Sequence, residues 1–158
     1  MENDPSWVKA VDEVLARMAS MPGALLPILH GVQHELGYIP PEAVPRIALA
    51  LNLSRAEVFG VVSFYHDFRD TPPGRHVLKI CRAESCQAVG AESLVKQATG
   101  RLGVEWEATS ADGHVTVEPV YCLGLCALSP AVTLNGQVHG RVTPERMDHL
   151  LAEVVATR

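Results

Sequence analysis

The fold of this chain is decided by CRAESC, Cys81–Cys86, which pairs with a second short stretch, CLGLC, at Cys122–Cys126. These two stretches hold all four cysteines, with four residues inside the first pair, 35 between the pairs and three inside the second. Each pair is too short to build a site alone, so we expect folding to bring both to one centre. That centre is a 2Fe-2S cluster, a structural zinc or a pair of disulfides.

The spacing and the expected compartment separate these three alternatives only in part. Residues 1–5 are acidic and no apolar segment follows, so we expect no signal peptide, a cytoplasmic location and reduced thiols. Zinc sites made of cysteine tolerate gaps of two to four residues, although zinc ribbons usually repeat a gap of two. The four-residue gap of the first pair opens plant-type ferredoxin motifs, so spacing favours iron-sulfur and leaves zinc open.

Length and composition exclude several classes of function. At 158 residues the chain has room for one domain with a small appendage, and 47% hydrophobic residues support a real core. The formal net charge is -5 and there is no basic tract, which argues against nucleic acid as a partner. No apolar run reaches 18 residues, so we expect no membrane span.

A charged segment followed by Pro-Pro-Gly, at residues 69–75, marks the clearest boundary. We therefore predict an N-terminal helical domain at residues 1–70 and a second domain at 71–158. Apolar residues in the first domain recur at three-and-four spacing, which predicts four short helices. Asp4 is placed to cap the first helix, and SRAE at Ser54–Glu57 is a capping box for the fourth.

The second domain has the pattern strand, helix, strand, hairpin and helix, so the predicted fold class is α+β with a small mixed sheet. A strand-helix-strand crossover followed by a hairpin and a closing helix is thioredoxin-like. Ligands of such sheets bind at the carboxyl ends of strands, where both cysteine pairs fall. The predicted elements are a strand at 76–80, a helix at 85–102, strands at 104–107 and 114–120, a hairpin around Asn135-Gly136 and a helix from Thr143.

Three other features could be functional, but we interpret each of them as structural. His30 and His34 are four residues apart and could share a helix face as metal ligands, but no third ligand is evident, so we interpret them as surface or partly buried histidines. The aromatic residues at 64–68 are interpreted as core packing, with a partner-protein surface as the alternative. Arg82 is interpreted as a solvated arginine, although it could add positive charge beside the cysteines.

Longer motifs add a family resemblance. The two cysteine stretches, LHGVQHELGYIP at Leu29–Pro40, VFGVVSFYHDF at Val58–Phe68 and TPE at Thr143–Glu145 resemble the small thioredoxin-like 2Fe-2S subunit of respiratory complex I. The resemblance covers nearly the whole chain and favours iron-sulfur over zinc. It implies one 2Fe-2S cluster on this chain and an electron-transfer role without catalysis. The implied ligands are Cys81, Cys86, Cys122 and Cys126.

The same subunit type occurs in several NAD-linked assemblies. Ala83-Glu84 stand where the complex I version often carries Gly-Thr, whereas RAES at Arg82–Ser85 and QAVG at Gln87–Gly90 are most similar to the gamma subunit of molybdenum-containing, NAD-dependent formate dehydrogenase. The equivalent subunit of complex I or of an NAD-linked hydrogenase is the alternative. The resemblance implies two partners: a diaphorase subunit with FMN and the NAD site, and a larger iron-sulfur and molybdenum catalytic subunit.

Two readings of the residues compete with electron transfer. A thioredoxin-like thiol-disulfide enzyme needs a reactive pair two residues apart at a helix start, and neither pair has that gap. A zinc-stabilised scaffold is the other alternative. The chain has no Gly-x-Gly-x-x-Gly fingerprint after a strand, so nucleotide binding is expected on a partner.

Overall fold

The structure is a computed structural model that describes residues 6–158, in which seven α-helices, five β-strands and one short 3-10 turn are formed. The backbone packs into one compact unit that ends at Pro72 and a second unit, Pro73–Arg158. That these units are the domains predicted at residues 1–70 and 71–158 remains our proposal. The cap predicted at Asp4 lies outside the described residues.

The first unit contains the four predicted helices: α1 (Ser6–Met18), α2 (Leu25–Leu36), α3 (Ala43–Leu51) and α4 (Arg55–Phe64). Helices α1 to α3 each bury an apolar stripe, because their hydrophobic residues recur at helical spacing, whereas Val58 is the one buried residue of α4. The largest fully buried side chains of this unit are Val11, Val14, Ile28, Leu29, Val32, Ile39 and Ile47.

Polar contacts fix the ends and the pairing of these helices. The capping box is confirmed: the Ser54 hydroxyl accepts from the Glu57 N–H at 3.2 Å, and the Glu57 carboxylate accepts from the Ser54 N–H at 2.8 Å. Arg46 of α3 donates two hydrogen bonds to the Asp12 carboxylate of α1, at 2.5 and 2.6 Å. In the described part of the chain no single helix has the length and apolar character of a membrane span. Among the described helices, the pair α3 and α4 meets that test together, by length and composition alone and across a 117° bend.

The second unit is built on a five-stranded mixed sheet with the order β2-β3-β1-β4-β5. Its strands are β1 (His76–Cys81), β2 (Ala108–Thr109), β3 (Val115–Val120), β4 (Val132–Leu134) and β5 (Gln137–His139). Strand β1 runs parallel to β3 and antiparallel to β4, so it lies at the centre of the sheet. Helices α5 (Glu84–Ala88), α6 (Ala91–Leu102) and α7 (Pro144–Ala156) complete the unit.

The core of this unit joins the central strands to α6 and α7, which confirms the predicted thioredoxin-like α+β architecture. Its most buried side chains include Leu78, Ile80, Leu94, Val117, Met147 and Leu151. The predicted hairpin is also confirmed, since Asn135 and Gly136 have φ values of 52° and 81° between β4 and β5. Positive φ at both central residues is what a type I′ turn requires.

Two predicted elements differ from the structure. The helix expected over residues 85–102 is two helices, because Gly90 adopts a left-handed φ of 96° and separates α5 from α6. The strand expected at 104–107 is wrong. Val104 is buried in the core, but Glu107 has a φ of 62°, which is incompatible with a strand, and β2 begins at Ala108.

Candidate metal centre

Both cysteine stretches begin at the same edge of the sheet. Cys81 is the last residue of β1 and pairs in register with Val120, the last residue of β3, two positions before Cys122. The Cys81 N–H donates to the Ala131 carbonyl at 3.0 Å, and the Arg82 N–H donates to the Val120 carbonyl at 2.8 Å. Because parallel neighbouring strands end side by side, the sheet itself brings the two loops together.

Hydrogen-bond donors from both loops meet at the sulfur of Cys81. Burial alone would raise the pKa of the Cys81 thiol, but the hydrogen bonds outweigh burial and lower that pKa. The donors are the Ala83 N–H, the Cys86 thiol and the N–H groups of Cys122 and Leu123. Hydrogen bonds to a charged form stabilise it, so this position is arranged to hold a thiolate.

The second pair has the separation that binding to one metal atom requires. The Sγ atoms of Cys122 and Cys126 are 3.9 Å apart, and two sulfurs bound tetrahedrally at about 2.3 Å from one metal lie about 3.8 Å apart. The hydrogen bond with Cys122 and the charge of Cys122 raise the pKa of the Cys126 thiol. The two thiols therefore interact directly, as ligands of one metal atom do.

The loop of this pair turns through left-handed backbone conformations. Cys122 has a φ of 93° and Gly124 a φ of 73°. The turn lets the Gly124 N–H donate to the Cys122 Sγ at 3.3 Å. Glycine adopts such a φ without steric cost, so Gly124 lets the loop turn closely around the cysteine sulfurs.

The four thiols form two pairs of different exposure. Cys81 and Cys86 are each 2% exposed and pack with Ala91 and Ala131, whereas Cys122 and Cys126 are exposed. Within residues 6–158, no set of three or more histidine, cysteine or acidic side chains is placed to hold a single metal ion. Four cysteines are the ligand set of an all-cysteine 2Fe-2S centre and also of an all-cysteine zinc site.

The histidines considered as metal ligands are not brought to the cysteines. His30 and His34 lie on α2 of the first unit and are both exposed. The ring of His30 lies 4.8 Å from that of Phe68. This agrees with their interpretation as surface residues.

The expectation for Arg82 is wrong. Its guanidinium is 2.6 Å from the Glu92 carboxylate and 5.6 Å from the centre of the Trp106 ring, and its side chain is only 23% exposed. The carboxylate offsets the positive charge, and the ring holds the guanidinium by a cation–π contact. Arg82 is therefore a fixed part of the first loop and not a solvated arginine.

Two serine hydroxyls connect the loops, and sequence reasoning missed them as a pair. The Oγ atoms of Ser85 and Ser129 are 2.8 Å apart, and each lies within hydrogen-bond distance of the Cys126 carbonyl, at 3.2 and 2.8 Å. The Cys86 Sγ is 3.6 Å from the Ser129 Oγ. Ser129 stands three residues after Cys126, and nothing in the local sequence pattern distinguishes it.

The aromatic residues at the end of α4 and just after it divide into two groups. Phe68 is buried in the helical core, as expected, but Phe64 is 72% exposed and stacks edge-to-face with the exposed Tyr65 at 5.1 Å. Core packing therefore accounts for Phe68 and is wrong for Phe64. An exposed aromatic pair agrees with the alternative of a partner surface.

Comparison with known proteins identifies the family. The model of the thioredoxin-like [2Fe-2S] ferredoxin family matches residues 11–155. The chain is 33% identical over 144 residues to NADP-reducing hydrogenase subunit HndA of Solidesulfovibrio fructosivorans, which covers 89% of this chain and 84% of that protein. It is 37% identical over 130 residues to NADH-quinone oxidoreductase subunit 2 of Thermus thermophilus, covering 82% of this chain and 72% of that protein.

A solved structure is similar to most of this chain. An air-oxidized NAD+-reducing [NiFe]-hydrogenase superimposes with a TM-score of 0.74 at 27% identity, over 90% of this chain and 24% of that one. This chain thus spans about a quarter of the hydrogenase chain that it matches. As its motifs predicted, the chain belongs to the thioredoxin-like [2Fe-2S] ferredoxin family and carries one 2Fe-2S cluster for electron transfer.

Proposed function

We propose that this chain is an electron-transfer subunit of an NAD-linked oxidoreductase, and that its four cysteines hold the 2Fe-2S cluster. The observation that carries the proposal is the meeting of donors from both cysteine loops at the Cys81 sulfur. A bound 2Fe-2S cluster accepts and releases one electron at a time. The proposed ligands are Cys81, Cys86, Cys122 and Cys126.

The protein's own groups favour such a centre in two ways. Backbone N–H groups of Ala83, Leu123 and Gly124 point at cysteine sulfurs. Hydrogen bonds to the sulfurs stabilise an anionic cluster and raise its reduction potential. The first pair is buried in a cluster with Ala91 and Ala131, so the polypeptide shields one side of the site.

The proposed partner is a diaphorase subunit that carries FMN and the NAD site. A flavin exchanges two electrons with NAD and can release them singly, so a neighbouring one-electron acceptor is useful. The relatives are named as subunits of a hydrogenase and of an NADH-quinone oxidoreductase, which supports partner subunits here too. The exposed Phe59 and Phe64 of α4 support a contact surface for the diaphorase on the helical unit. The isolated chain is expected to catalyse nothing.

For the parent complex we propose a molybdenum-containing, NAD-dependent formate dehydrogenase. The support is local sequence: RAES at Arg82–Ser85 and QAVG at Gln87–Gly90 resemble the gamma subunit of that enzyme. A hydrogenase is the second candidate, favoured by the relative HndA and by the superposition on an NAD+-reducing [NiFe]-hydrogenase. In either complex this chain would pass single electrons to or from the FMN of the diaphorase subunit.

Metal and sulfide analysis tests the ligand set. The chain, prepared without oxygen, is expected to contain two irons and two acid-labile sulfides and to show an electron paramagnetic resonance signal on reduction. Serine variants of each cysteine should lose or alter that signal, because oxygen is a harder ligand than thiolate. One zinc per chain without sulfide would contradict the proposal.

Purification of the intact complex from its native cell tests the parent. If the proposal is right, this chain is recovered with a molybdenum protein, and the complex reduces NAD with formate. If the complex instead reduces NAD with hydrogen and contains a nickel-iron subunit, the parent is a hydrogenase and not formate dehydrogenase. Recovery with membrane subunits and quinone reduction would indicate the complex I type.

A further inference from the structure

We infer that Ser129, oriented by Ser85, donates a hydrogen bond to the Cys86 sulfur when the cluster is bound and thereby raises its reduction potential. The inference rests on the proposed role of Cys86 as a ligand. It goes beyond that role by naming two positioning residues that are not cysteines, Ser85 within the first cysteine stretch and Ser129 after the second.

When Cys86 binds metal as a thiolate, only one arrangement of protons keeps a hydrogen bond between Cys86 and Ser129. Without the cluster, the single proton of the Cys86 thiol can go either to the Cys81 sulfur or to the Ser129 hydroxyl, 3.6 Å away. A metal-bound thiolate has no proton to give, so the hydroxyl must become the donor if the contact persists. The Ser129 oxygen can then accept from the Ser85 hydroxyl, which lies 2.8 Å away.

The Cys126 carbonyl accepts a hydrogen bond from the Ser129 hydroxyl when the cluster is absent, and it loses that bond when Ser129 turns to the sulfur. The carbonyl can then share the Ser85 proton with the Ser129 oxygen. It lies 2.8 Å from the Ser129 Oγ and 3.2 Å from the Ser85 Oγ. Because Ser85 belongs to the first cysteine loop and Ser129 follows the second, these contacts tie the two loops together beside the buried sulfur. Neither serine is exposed, so competition from water at this contact is reduced.

A hydrogen bond to a ligand sulfur acts on the potential through charge. Reduction adds negative charge to the centre, and a hydroxyl dipole directed at the sulfur stabilises that charge more in the reduced form than in the oxidised form. Loss of the hydroxyl should therefore make the cluster harder to reduce. A tenfold change in the reduced-to-oxidised ratio at fixed solution potential corresponds to 59 mV for a one-electron couple.

The test compares Ser129→Ala with the matched pair Ser129→Thr and Ser129→Val, which differ by the hydroxyl at nearly equal volume. Each variant of the full chain is loaded without oxygen with iron and sulfide, its metal content is measured, and its midpoint potential is titrated by electron paramagnetic resonance. We expect the alanine and valine variants to hold two irons and two sulfides but to give a several-fold smaller reduced fraction at fixed potential. The threonine variant should restore the wild-type value.

An intact cluster at the wild-type potential in the alanine or valine variant would overturn the inference, as would equal shifts in the threonine and valine variants. If no Ser129 variant retains the cluster, Ser85→Ala decides. A smaller shift in the same direction supports the inference, and an unchanged potential overturns it. Failure of the wild-type chain to bind iron and sulfide would instead defeat the proposed function, so the two failures are distinguishable.

Discussion

Substitution of Gly124 by alanine tests how the second loop supports the site. Gly124 has a φ of 73°, and a Cβ atom built on it meets nothing within 4 Å. Steric overlap therefore contributes nothing, and the cost is that of the left-handed backbone alone, about 1–2 kcal/mol. That energy corresponds to a factor of about 5–30 in an equilibrium constant.

The matched control is Gly113→Ala. Gly113 has a φ of 65° and is equally open around its Cα, so its backbone cost is the same, but it lies in the turn before β3, away from the cysteines. Both variants should lower the melting temperature of the loaded protein similarly, by about 4–8 °C per kcal/mol for a domain of 60–100 residues. Only Gly124→Ala also disturbs the N–H donor that faces the Cys122 sulfur at 3.3 Å.

The discriminating assay is release of iron to a chelator under native conditions, followed by the visible absorbance of the cluster. We expect Gly124→Ala to release iron several-fold faster than Gly113→Ala at equal loss of thermal stability. Equal release rates would show that the loop conformation at Gly124 does not protect the cluster, and the reasoning would fail.

Three further predictions concern other parts of the chain. Cys126→Ser should lose or shift the cluster spectrum while His30→Ala leaves it unchanged; an unaltered Cys126→Ser spectrum would remove that residue from the site. The hydrogen bonds and charge of Arg46 hold the pKa of Asp12 below its usual range, so Asp12→Asn should destabilise the helical unit by under about 1 kcal/mol for this exposed pair. The loss in free energy of unfolding is measured by urea unfolding followed by circular dichroism. It should have its full size above the ordinary aspartate pKa of about 3.9 and should shrink as the pH falls through the lower pKa that Asp12 has in the folded protein. A loss that does not depend on pH would refute this. Gly74→Ala should destabilise the sheet unit by about 1–3 kcal/mol, because its Cβ would lie 2.7–2.8 Å from backbone atoms at the start of β3; an unchanged melting temperature would contradict that packing.

The features that sequence predicts well here depend on local interactions. Apolar residues at helical spacing predict α1 to α4, and Asn135-Gly136 predicts the hairpin, because only a few neighbouring residues determine each of them. The cysteine spacing and the longer motifs indicated the family and the cluster. Gly90, inside the pattern interpreted as one helix, was a usable signal for the break between α5 and α6.

The contacts that sequence does not predict join residues far apart in the chain. Ser129 approaches Cys86 only because β1 and β4 pair in one particular register and bring their connecting loops together. The contact of Arg82 with Trp106 likewise depends on how the segment before β2 packs on the sheet. Periodicity and spacing carry no information on such contacts, since both describe relations within a single segment.

The unequal exposure of the two cysteine pairs makes one side of the proposed site accessible to a redox partner and the other side inaccessible. Cys81 and Cys86 lie within the protein interior, whereas Cys122 and Cys126 face outward. If the four thiolates hold the cluster as proposed, polypeptide shields the Cys81–Cys86 side of the site, whereas the Cys122–Cys126 side is open to solvent. A redox partner that exchanges electrons rapidly must then dock against the Cys122–Cys126 loop. The tip of that loop is therefore the expected point of electron entry and exit.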